Sequence, residues 1–113
     1  MDLKRPRSVK ICHAVVPIKY ASDKECEERS VLGWYDCKKV LITVNRSLST
    51  PLLIDTLFHE ILHAIVSLNE IMMNKKTASE EEFVLRLSPL IISFILDNPD
   101  FIEWVSASHR EKN

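Results

Sequence analysis

Between residues 49 and 68 the apolar positions return every three or four residues. Leu53, Leu57, Ile61, Ile65 and Leu68 form one stripe, which Leu52, Ile54, Phe58, Leu62 and Val66 widen. That period predicts a helix, and so much apolar surface predicts a central, mostly buried one. Ser49 or Thr50 can cap it, and Pro51 suits the first helical position. A narrow polar stripe remains, made of Thr56, His59, Glu60, His63 and Ser67, whose spacing keeps these side chains on one face.

Upstream the pattern changes to β-branched and apolar runs. Residues 9–20 read as a strand near a sheet edge or ending at a bulge, because Pro17 interrupts the donors. Residues 21–30 form a charged connector with room for a short helical turn. Residues 31–35 and 39–44 read as a hairpin around Asp36-Cys37-Lys38, and Val40-Leu41-Ile42-Thr43-Val44 is the strongest strand signal. After a polar connector over 69–79, a second helix starts at Ser79-Glu80-Glu81-Glu82, where Ser79 and Glu82 can form a capping box. It continues through Phe83, Leu87, Leu90, Ile91 and Ile95, with Pro89 expected to kink or break it. Asn98-Pro99 opens a short last helix over residues 101–105. Residues 1–8 and 106–113 are expected to be flexible. The expected fold is α+β: a small, mostly antiparallel sheet packed on the central helix, closed by the C-terminal helices.

Composition narrows the function classes. The 113 residues, 1–113, fit a single domain. A net charge of -1 gives no reason to expect a nucleic-acid or membrane partner, and no apolar run is expected to span a membrane. Gly33 is the only glycine, so glycine-rich phosphate and dinucleotide loops are excluded. Cys12, Cys26 and Cys37 have neither disulfide-framework nor Cys-x-x-Cys spacing and read as small apolar fillers. With no secretory h-region near Met1, the expected location is cytoplasmic.

The candidate chemistry lies on the polar stripe. His59-Glu60-Ile61-Leu62-His63 puts two imidazoles one helical turn apart, close enough to share one Zn2+. Glu60 then stands beside the open coordination position, where a carboxylate can take a proton from water. A third protein ligand is expected. Val66 and Asn69 occupy the positions that the long metzincin form gives to Gly and His, which excludes that form. His109 lies in the expected tail. The acidic start of the next helix is the better source, and helix phase favours Glu81 over Glu80, with Glu82 kept for the capping box. Tyr35, Arg46 and His109 are unranked candidates for stabilising an oxyanion. His13, Trp34 and Arg86 are read as structural or solvated.

The arrangement resembles the gluzincin branch of the zincins. The segments TLFHEILHAI and EEEFVLRLSPLIISFILDNPDFI resemble small phage-encoded HExxH proteins, and more distantly the SprT-like and ImmA/IrrE-like metallopeptidases. The resemblance implies His59, His63 and a helix-borne glutamate as metal ligands, Glu60 as base, and an edge strand that pairs with extended substrate. Residues 39–44 resemble that edge. The expected function is zinc-dependent hydrolysis of peptide bonds in a peptide or protein substrate. The other reading is a catalytically idle zinc-binding interaction module, phage-encoded and acting on a host factor.

Overall fold

A computed structural model describes residues 4–69 and 80–112. Eight elements follow in chain order: β1 (Ser8–Ile11), β2 (Ala14–Ala21), α1 (Asp23–Arg29), β3 (Gly33–Asp36), β4 (Leu41–Asn45), α2 (Thr50–Leu68), α3 (Glu80–Asp97) and α4 (Pro99–Lys112). The fold is α+β. Its one sheet has the order β1-β2-β4-β3. The β1–β2 and β3–β4 pairs are antiparallel, and β2 and β4 are parallel.

The stretch over 9–20 is two strands, not one. Cys12 and His13 make the turn between them, Cys12 with a positive φ of 57°, so His13 stands in an exposed turn. Pro17 is tolerated inside β2. Ile18 N–H donates to Arg7 O on the β1 side, so by strand alternation the Pro17 nitrogen points toward β4, whose register begins one residue later.

Residues 39–44 are not an edge. β4 lies between β2 and β3, and Ile42, Thr43, Val44 and Asn45 are all buried. An unbroken β-branched run is what a strand covered on both faces requires. The edge next to β4 is β3, half-buried throughout. Asp36 Oδ1 fixes the connecting turn by accepting the N–H groups of Lys38 and Lys39 at 2.9 and 3.1 Å.

Ile42 and Val44 of β4, with Val9, Ile11, Val16 and Ile18, face the buried side of α2, where Leu53, Leu57, Ile61 and Ile65 are almost fully enclosed. α2 does reach the length and apolar composition of a membrane-spanning helix, contrary to expectation, but its apolar side is spent on this core. Phe58 of α2 meets Phe94 of α3 and Phe101 of α4 at ring distances of 6.4 and 6.5 Å. Pro89 does not end α3. It sits on an exposed side, where water can meet the Leu85 carbonyl that loses its donor. The tail expected from residue 106 is helical to Lys112, with Ser108 buried. The Ser79–Glu82 capping box cannot form part of the description, because Ser79 lies outside the described residues.

Candidate metal centre

The polar stripe of α2 opens onto the free side of β3. Gly33, Tyr35, His59, Glu60, His63 and Ser67 line a cleft of about 500 Å³ there. α2 runs alongside β3, with Thr56 beside Gly33 and Ser67 toward Tyr35. The close approach at the first end needs a glycine. A Cβ on Gly33 would lie 2.8 Å from Thr56 Cγ2 and 3.0 Å from the Thr43 carbonyl oxygen.

His59 and His63 are exposed on this stripe, with their Nε2 atoms 3.1 Å apart and their rings at 79°. Two nitrogens on one tetrahedral zinc, each 2.0–2.1 Å from the ion, stand about 3.3 Å apart. The spacing and the donor chemistry therefore fit one ion held between the two imidazoles. Glu60 is 6% exposed, at the boundary between core and cleft. Burial pushes its carboxyl above the usual range, and the nearby His59 and His63 rings oppose that shift.

The structure does not bring Glu81 to this pair. Glu81 is exposed on the first turn of α3, and among the described residues no three His, Cys, Asp or Glu side chains are close enough to hold an ion. Helix phase accounts for the difference. The inward side of α3 passes through Leu87, Leu90 and Phe94, while Val84, expected on it, is 46% exposed. Seven residues before Leu87 is position 80, so Glu81 is turned about 100° away from that side.

The cleft also holds one of the three oxyanion candidates. Tyr35 is on its wall, and its hydroxyl is buried without a hydrogen-bond partner among the described residues. Burial raises its pKa, while the Ser67 side chain, close but outside good hydrogen-bond geometry, opposes the rise. Of the oxyanion candidates, Arg46 and His109 do not line the cleft, which leaves Tyr35. Cys37 is an exposed thiol at the cleft rather than a filler, and so is not the equal of buried Cys26. Trp34 points to the opposite face of the sheet, where the Arg29 guanidinium stacks 4.4 Å from its ring centre.

Among the described residues the edge itself carries unpaired backbone groups. Asn45 N–H donates to Leu32 O at 2.9 Å, so alternate residues from Leu32 onward bond to β4. The N–H and C=O groups of Gly33 and Tyr35 consequently point away from the sheet, beside the cleft. Comparisons with protein families, curated proteins and solved structures give no match to this chain.

Proposed function

We propose that the chain is a zinc-dependent hydrolase that cleaves peptide bonds. The observation that carries this reading is the 3.1 Å separation of the His59 and His63 Nε2 atoms, in a cleft with the Glu60 carboxyl and along an unpaired strand edge. His59 and His63 would hold the ion. The expected third ligand, a carboxylate from the first turn of α3 with Glu81 first and Glu80 next, would have to approach the pair to complete the set. Zinc bound there supplies a Lewis acid that polarises a carbonyl and brings the pKa of water down to about 7.

The protein's own groups divide the remaining work. Gly33 and Tyr35 offer backbone N–H and C=O groups to an extended substrate, which adds to the sheet as a further strand. That pairing lays the substrate backbone along α2, past His59 and Glu60. Glu60 accepts a proton from the attacking water and returns it to the departing amine. Burial at the boundary of core and cleft holds its carboxyl above the usual range. Tyr35 would be the donor for the oxygen of the bond under attack, since its buried hydroxyl has no hydrogen-bond partner among the described residues.

Metal analysis of the untagged protein tests the first step, with about one equivalent of zinc expected per chain. Glu60→Gln should keep that zinc and the fold while lowering hydrolysis at least about 100-fold, the usual worth of a positioned base. Under a tenth of an equivalent of zinc, or zinc lost in Glu60→Gln, would overturn the assignment.

A further inference from the structure

The cleft extends in one direction along the edge strand. Past Gly33 it joins a depression of about 400 Å³ walled by Ser30, Val31, Leu32, Asp55 and Thr56. Ser30, Val31 and Leu32 also bound a third hollow of about 350 Å³, which reaches Asp23, Cys26 and Glu27 of α1. The first two share Gly33, His59 and Glu60 and the last two share Ser30, Val31 and Leu32, so the three follow one another as a furrow.

Charge along this furrow is one-sided. Asp55, Glu27 and Asp23 lie in the arm beyond Gly33, all three exposed, and among the described residues no lysine or arginine lines the furrow. Among the described residues the arm at Tyr35 and Cys37 contains no acid apart from Glu60. Asp23 accepts a hydrogen bond from Ser47 at 3.3 Å, whereas Glu27 and Asp55 have no ion pair among the described residues. The wall between the acids is apolar: Val31 and Leu32 are 41% and 46% exposed. An aliphatic wall leading to a carboxylate matches a side chain with an aliphatic stem and a cationic tip.

Register gives the arm a place in the substrate. A segment pairing antiparallel with β3, the more stable arrangement, runs from the Tyr35 end toward the Gly33 end. Its C-terminal half then enters the acidic arm. Asp55 is one turn before His59, about 6 Å along α2. Extended side chains on one face recur at about that interval, every second residue.

We propose that the arm formed by Val31, Leu32 and Asp55 selects lysine or arginine on the C-terminal side of the bond presented to Glu60. The substrate class is an extended internal polypeptide segment with a basic residue within about two positions after that bond. The location of the bond rests on the hydrolase reading, but the binding preference does not.

The test uses fluorescein-labelled eight-residue peptides of Ser, Thr and Val carrying a pair of lysines in the C-terminal half, a pair in the N-terminal half, or a pair of glutamates in the C-terminal half. Anisotropy is measured on the full-length zinc-treated Glu60→Gln protein, and cleavage by mass spectrometry on the zinc-treated wild type. The C-terminal lysine peptide should bind at least threefold tighter than the other two. Asp55→Asn should shrink that advantage and Asp55→Lys should reverse it in favour of glutamate, with circular dichroism unchanged. The wild type should cut before the lysine pair. Equal binding of the three peptides, or a preference unmoved by Asp55→Asn, overturns the proposal. Cleavage without charge preference also overturns it while leaving the hydrolase reading intact. An Asp55-dependent preference with no cleavage of any peptide supports the arm and removes the hydrolase reading.

Discussion

Gly33 sets how closely β3 lies on α2, and therefore how far the strand edge stands from His59 and Glu60. With Thr56 Cγ2 at 2.8 Å and Thr43 O at 3.0 Å from the position a Cβ would take, Gly33→Ala requires Thr56 to turn and the Thr43 backbone to give way. Overpacking of this kind costs about 1–3 kcal/mol. Urea denaturation should show that loss, and binding of extended peptide should weaken with it. Adding Thr56→Ser, which removes the offending methyl, should recover part of the stability. A Gly33→Ala protein as stable as the wild type would show that the approach is looser than described. The contrast with His59, Glu60 and His63 is instructive. Their mutual placement is fixed by helical spacing alone, so it could be read from the chain. The demands on Gly33 come from Thr43 and Thr56, and the exposure of Glu81 comes from how α3 is rotated by Phe94. Neither follows from local pattern. Tyr35 could be named as an oxyanion candidate from its residue type, but nothing in the local pattern ranked it above Arg46 and His109.

Among the strands and helices, periodicity was enough for α2 and for the β3–β4 hairpin, and not for sheet order. The run from Val40 to Val44 did carry the information that β4 is interior, since alternation is lost when both faces are covered. The β1–β2 hairpin was hidden because its turn is Cys12-His13, without the Asn or Gly that usually marks a tight turn. The joint between α3 and α4 rests on one side chain. Buried Asn98 accepts a hydrogen bond from Lys10 N–H at 2.7 Å and donates to the carbonyls of Lys10 and Phe94, both at 2.8 Å. It therefore ties the helix corner to the outer strand β1. Asn98→Ala strands three backbone groups and should cost about 2–4 kcal/mol. Asn98→Asp keeps the acceptor but sets a carboxylate against two carbonyl oxygens, so it should also destabilise at neutral pH. Urea midpoints equal to wild type for both variants would mean that the corner is held by Phe94 and Phe101 alone.

The N-terminal segment, expected to fray, straps the far side of the fold. Tyr20 Oη donates to Pro6 O at 2.6 Å, and the Arg5 guanidinium stands 5.7 Å from the Tyr20 ring centre. Arg5 also donates to the carbonyls of Arg46 at 2.7 Å and Leu48 at 3.2 Å. Residues before β1 are thus joined to β2 and to the turn that leads into α2. This strap gives stability a specific dependence on alkaline pH. Burial pushes the Tyr20 phenol up to about 12, and the positive Arg5 opposes the rise. In the unfolded chain the phenol ionises near pH ~10. The folded state therefore favours the neutral form, and its contribution is complete below about pH 10. It is lost as pH rises from there through about 12, because the unfolded chain sheds the proton first. Every other ionisable group is common to both proteins, so the difference between wild type and Tyr20→Phe isolates this group. At pH 8 the phenylalanine variant should be less stable by about 1 kcal/mol, the worth of the Pro6 hydrogen bond. Between pH 9 and 12 the wild-type urea midpoint should fall faster, so that the gap closes and then reverses. Parallel curves over that interval would mean that Tyr20 ionises alike in the folded and unfolded chains, and that the strap does not shield it.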